Sequence, residues 1–141
     1  MGGRNLKTNM KDSIDTNVLV HFILNEPREQ ADKVWKFLTE SEDTHFLADI
    51  AISEAVYVFE KYYKQSRADI RYNMELFFRQ FDNVLEYNRE LFDMIFPYYV
   101  KHPSLSFNDI YLAFRAEKDG AEPLFTFDKN LAKGHPSVKL L

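Results

Sequence analysis

Cysteine is absent from the sequence. Its absence excludes disulfides, thiolate zinc centres and cysteine nucleophiles, and it fits a reducing cytoplasm, where the chain is expected to work. Glycine is scarce: the only copies are Gly2, Gly3, Gly120 and Gly134. None of them builds a phosphate-cradling loop, so a dinucleotide-binding turn is not supported. A Gly-x-Ser-x-Gly elbow is also missing, and a serine hydrolase is not suggested. His21, His45, His102 and His135 show no paired spacing of the His-x-x-x-His kind, which argues against a zinc enzyme. No stretch approaches the ~18 consecutive apolar residues of a membrane span. Met1 to Asn9 is polar and lacks the apolar core of a signal peptide. Leu6 stands where a myristoylation motif needs Ser or Thr. Met10 therefore reads as the natural start, with 1–9 a flexible extension. Positive charge is not in excess either. A net charge of −4 excludes a bulk basic nucleic-acid binder and leaves room only for placed cations.

What is present describes a globular chain. Hydrophobic residues make up 45% and charged residues 28%, a balance that argues against disorder. At 141 residues the chain suits one domain, expected over 10–141. Thirteen Phe and eight Tyr exceed what a core of this size needs, so part of that aromatic surface is expected at a partner interface.

Strand and helix patterns alternate. Ser13 to Val20 reads as a first strand and the turn after it. Asn25-Glu26-Pro27 starts a helix whose Ala31, Val34, Trp35 and Leu38 should face a sheet. His45 to Ala48 reads as a second strand. Asp49 is an expected N-cap for a helix carrying Ile52, Ala55, Val56, Phe59 and Tyr63 on one side. Ser66 or Asp69 opens a helix with Ile70, Met74, Phe77, Phe78 and Phe81 as its apolar face. Val84 to Tyr87 reads as a third strand. A helix from about Arg89 to Val100 contains Pro97, which should kink or split it. Ser106 caps a helix that Asp119-Gly120 ends. Leu124 to Phe127 and Val138 to Leu141 complete about five strands. Strands separated by helices need crossovers, which predicts a mostly parallel sheet with helices on both faces. In such sheets the functional crevice lies beyond the strand carboxyl ends.

Four acids occupy informative positions: Asp15 after the first strand, Glu54 on an aromatic-rich helix, Asp109 opening a helix and Asp128 ending a strand. Converging carboxylates repel unless a cation lies between them, and hard divalent ions prefer oxygen ligands. The set therefore points to Mg²⁺ or Mn²⁺ and to phosphate chemistry. Asp15 and Asp128 are also ordinary turn or N-cap residues. Ser106-x-x-Asp109 fits a capping box, and for Asp109 alone that is the stronger reading. Glu54, among Ile50, Ala51, Ile52, Ala55, Val56 and Tyr57, is expected on a largely buried helix, where an unpaired carboxylate is costly. Asn17 and Thr126 are candidate supporting residues. Lys61, Tyr62, Tyr63, Lys64, Arg67 and Arg71 form a basic and aromatic run that could hold a phosphate backbone and stack unpaired bases, although a helix end and loop solvated by its own charges is the stronger reading. Lys129, Lys133, His135 and Lys139 form a second set, closer to Asp128 in sequence and the better candidate for meeting RNA.

Ile14-Asp15-Thr16-Asn17-Val18-Leu19, Ser53-Glu54, Ser106-Phe107-Asn108-Asp109-Ile110-Tyr111-Leu112-Ala113 and Thr126-Phe127-Asp128-Lys129-Asn130-Leu131 together resemble the PIN-domain nucleases, especially toxin ribonucleases of the VapC type. The resemblance spans Met10 to Leu141. It implies a three-layer α/β/α sandwich and an acidic pocket in which Asp15, Glu54, Asp109 and Asp128 hold Mg²⁺ or Mn²⁺. It further implies hydrolysis of RNA phosphodiesters and, commonly, a homodimer neutralised by an antitoxin. The family also includes nucleases that mature ribosomal or transfer RNA. A PIN-like module that binds without cutting is the remaining alternative.

Overall fold

The computed structural model describes residues 10–86 and 88–141. The reading of 1–9 as an extension, and Tyr87 of the third strand, lie outside the described residues. The chain divides into two compact units, Met1–Tyr87 and Asn88–Leu141.

In the first unit the elements run β1 (Met10–Ser13), α1 (Thr16–Leu24), α2 (Arg28–Glu40), β2 (Thr44–Leu47), α3 (Asp49–Lys61), α4 (Arg67–Gln80) and β3 (Val84–Glu86). The three strands form a parallel sheet in the order β1-β2-β3. Asp12 is paired in register with His45, and Ser13 with Phe46. Ile14 N–H then donates to Phe46 O at 2.9 Å, carrying the pairing one residue past the strand. The amphipathic spacing of α3 and α4 buries Ile52, Ala55, Val56 and Phe59 from one helix and Ile70, Met74 and Phe77 from the other. Removing a side chain such as Phe59 or Phe77 from water contributes roughly 1.5–3 kcal/mol each. α1 packs on α2, α3 and α4. Its Phe22 stacks on Trp35 of α2 at 6.2 Å and meets Phe81 edge-on at 5.0 Å.

The second unit contains α5 (Arg89–Lys101), α6 (Phe107–Lys118), β4 (Leu124–Thr126), α7 (Lys129–Gly134) and β5 (Val138–Leu140). β4 and β5 pair in parallel, and α7 packs on both. Leu91, Ile95, Tyr99, Leu105, Phe107 and Ile110 form the core. Gly134 packs closely on the core: a Cβ there would lie 2.7 Å from a methyl of Leu105, so a larger residue would oblige that side chain to shift. Asp119 ends α6, and Gly120 follows at φ 68°, the left-handed conformation that favours glycine.

The α/β class with parallel strands is the one predicted from sequence and is consistent with a PIN-like α/β/α fold. The strands divide into sheets of three and two. Some expectations are corrected. Of the Ser13 to Val20 segment read as strand and turn, Thr16 to Val20 is already helix, in α1, and the first strand is the polar segment before Ile14. Continuous apolar runs do not separate a buried helix from a strand by periodicity alone. Pro97 lies inside α5 without dividing it. Asp49 is the first residue of α3, and Ala48 is the N-cap. Phe77, Phe78 and Phe81 are buried, as their apolar-face spacing predicts, and Phe92, Phe96 and Tyr99 are buried as well, so none of these six supplies the aromatic surface expected for a partner.

Candidate active site

Asp15 follows β1 by two residues and is the N-cap of α1, with extended φ −83° and ψ 160°. Its side chain makes no capping hydrogen bond. The carboxylate is exposed at the carboxyl end of the strand, beside a helix N-terminus whose dipole favours negative charge. Thr16 comes next and is buried at 6% exposure. Its hydroxyl donates to Glu54 Oε2 at 2.8 Å, with Ala51 O at the longer distance of 3.5 Å. That bond spans 38 residues and anchors the α3 carboxylate to the residue after Asp15. Asn17 is exposed on the first turn of α1.

Glu54 itself is exposed, which corrects the expectation of a carboxylate lodged among apolar side chains. The buried face of α3 is the one carrying Ala51, Ile52, Ala55 and Val56. Desolvation is therefore not what calls for a cation at this position. Sequence reading assigned Asn17 and passed over Thr16. The available signal was a hydroxyl within the Asp-Thr-Asn motif at the start of an apolar helix.

In the second unit Asp109 is half-buried in the first turn of α6. Ser106 Oγ accepts its N–H at 3.1 Å, the forward half of the expected capping box. Asp128 follows β4 by two residues and N-caps α7. Its Oδ1 accepts the Asn130 N–H at 2.8 Å and the Leu131 N–H at 3.2 Å. Thr126 Oγ1 accepts the Asp128 N–H at 3.0 Å and fixes the turn that presents the acid. Lys129, Lys133 and Lys139 of the same unit are exposed. In the other unit Lys61 and Lys64 are exposed and Arg67 is half-buried.

His135 does not belong to that basic surface. It is buried at 5% exposure, and its Nδ1 accepts the Ser137 N–H at 3.1 Å. Burial lowers its pKa below the ordinary value, opposed by Glu117 and Glu122 and reinforced by His102.

The donor chemistry suits a hard divalent ion. Asp15 offers a carboxylate not engaged in capping, and Glu54 has a single hydroxyl on one oxygen. Asp128 keeps its second oxygen beside the one that holds two amides. Among the described residues, neither unit gathers three or more His, Asp or Glu side chains into a group able to hold a metal by itself. The PIN domain family model matches residues 13–134, a span that contains all four acids. The chain belongs to the PIN-domain family. No curated protein and no solved structure matches it. PIN domains are generally metal-dependent nucleases, so membership gives this PIN domain a nuclease reading at the level of the family. No helix among the described residues is long and apolar enough to cross a membrane.

Proposed function

We propose that this PIN domain is an endoribonuclease that hydrolyses RNA phosphodiesters with Mg²⁺ or Mn²⁺, and that it serves as the toxin of a toxin–antitoxin pair. Asp15, Glu54, Asp109 and Asp128 are the assigned acids. The observation that carries the reading is the Asp15 turn, where an uncapped carboxylate sits next to the Thr16 hydroxyl that steadies Glu54. A bound divalent ion would supply charge for the phosphate oxygens and lower the pKa of the attacking water. Asp15 and Asp128 would hold that ion. Glu54 and Asp109 would orient the water, with Thr16 keeping one Glu54 oxygen fixed. Attack of water on phosphorus breaks the P–O3′ bond and leaves a 5′-phosphate and a 3′-hydroxyl. Lys129 and Lys133, with Lys61, Lys64 and Arg67 as a weaker set, would meet the RNA backbone. An antitoxin protein and a second copy of the chain are the proposed partners.

The test is cleavage of a panel of structured RNAs with Mg²⁺ or Mn²⁺, run beside Asp15→Asn. Cleavage that depends on the metal and disappears in the variant supports the assignment. Equal cleavage by the variant, or cleavage that persists in EDTA, defeats it.

One observation favours a second reading, a module that binds without cutting. Asp128 already serves as a two-amide N-cap, a structural role sufficient to account for it. On that reading titrated Mn²⁺ gives no thermal stabilisation.

A further inference from the structure

The other end of the first unit carries a polar relay that the nuclease reading does not use. Asp15 lies beyond the carboxyl end of β1, whereas Ser41, Thr44 and Asn83 lie at the amino ends of the parallel strands β2 and β3. His45 is 1% exposed on β2, held by its N–H to Asn83 O at 2.8 Å and covered by the Phe37 ring at 4.8 Å. Its Nδ1 meets Asp12 Oδ1, the register partner on β1, and its Nε2 meets Ser41 Oγ at 2.8 Å. With the Nδ1 proton donated to Asp12, Nε2 is left as the acceptor of the Ser41 hydroxyl proton. The Asp43 N–H donates to the same Oγ at 3.1 Å, which fixes the serine oxygen in place. Ser41 also lines a cleft of about 670 Å³ that contains Thr39, Glu42, Gln80, Asp82 and Asn83.

We propose that Ser41 is a nucleophile activated by His45 and oriented by Asp12, serving a second, acyl-transfer site in this cleft. A hydroxyl, an imidazole and a carboxylate in series are the recurrent means of activating serine, recognised by geometry and not by chain order. No sequence elbow announces it because strand register and the turn after α2 assemble the three groups. Ser41 Oγ attacks the carbonyl carbon of an ester while its proton passes to His45 Nε2. The ester C–O bond breaks, and the same proton leaves with the alcohol. Water then repeats the transfer, releasing the acid and restoring the hydroxyl. Among the described residues the cleft lining carries Glu42 and Asp82 and no lysine or arginine. It therefore suits neutral or cationic esters and disfavours phosphodiesters and carboxylates.

The test is labelling of the full chain with an uncharged alkyl fluorophosphonate, with the adduct located by peptide mass spectrometry. The expected result is one adduct on Ser41. Asp12→Asn, which keeps the shape of a half-exposed side chain, should slow labelling at least 10-fold, and His45→Gln should slow it about 100-fold. A thiocholine ester should be hydrolysed faster than a succinate monoester, and Ser41→Ala should lose both activities while RNA cleavage is unchanged. Absence of a Ser41 adduct overturns the proposal, and so does a labelling rate that ignores both Asp12→Asn and His45→Gln.

Discussion

Two turns in this molecule have the same plan and different chemistry. β1-Ile14-Asp15-α1 and β4-Phe127-Asp128-α7 each place an aspartate two residues past a parallel strand, as the N-cap of the next helix. The backbones separate at ψ, 160° for Asp15 and 110° for Asp128. Asp128 folds its carboxylate onto two amides of a short helix, whereas Asp15 makes no such bond. Position in the chain pattern is shared, and availability of the carboxylate is not. An Asp at a strand-to-helix turn can be a structural cap or a free ligand, and local geometry decides which.

The largest effect expected is on catalysis at the uncapped turn. Asp15→Asn should lower RNA cleavage by about 100-fold or more, since it removes a negative charge that would hold the divalent ion. The melting temperature should hardly move, because no capping bond is lost. A variant that melts much lower than the parent chain would show that Asp15 is structural after all and break the contrast.

Asp128 should separate into two roles. Asp128→Ala removes the cap and should cost about 1 kcal/mol of stability, read by urea denaturation, together with activity. Asp128→Asn keeps an N-cap acceptor and loses the charge, so it should hold most of the stability while cleavage still falls. Equal stability for the Ala and Asn variants would mean that the two amide bonds contribute little.

Thr16→Val probes the link between the Asp15 turn and Glu54. The shapes match and only the hydroxyl is lost. Glu54 is exposed and regains water, so stability should change by no more than about 1 kcal/mol. Cleavage should fall about 10-fold through loss of Glu54 orientation, comparable to removing an outer partner of a metal-ligating side chain. Unchanged cleavage would leave Glu54 positioned without help from Thr16.

Much of this architecture is legible without coordinates. The 3.6-residue spacing marked α3 and α4, and Ser66, Ser106 and Gly120 marked helix ends that the structure reproduces. Failures have physical causes. β1 lies at the end of its sheet order and carries Asp12 and Ser13, so it lacks the apolar run of a buried strand. α1 has that run and is a helix. Asp15 could be chosen from its motif, since its placement is local. The Thr16–Glu54 bond and the Asp12–His45–Ser41 relay could not, because partners 38 and 33 residues apart meet only through packing and register. Pro97 shows the limit of a local rule: it removes one donor, yet the buried face of α5 around Ile95, Phe96 and Tyr99 holds the helix together.

The smallest effect tests the second unit through pH. His135 is buried between the Phe114 ring at 4.8 Å and the Tyr98 ring at 5.5 Å, with Glu117 Oε2 3.7 Å from Nε2. Glu122 is engaged by the Ser137 hydroxyl at 2.9 Å, and the His102 ring is stacked on Tyr98. Burial outweighs the attraction of Glu117 and Glu122, and His102 adds to it, so the folded pKa lies below the ordinary 6.5. The unfolded chain then binds more protons in the window between the two values. Stability must therefore fall as pH drops through about 6.5 and level off once the folded imidazole also protonates. His135→Gln should flatten that acid limb in melting curves followed by far-UV circular dichroism. An unchanged slope would move the pH dependence to the carboxylates. A slope of opposite sign would mean that Glu117 and Glu122 together outweigh the cost of burial.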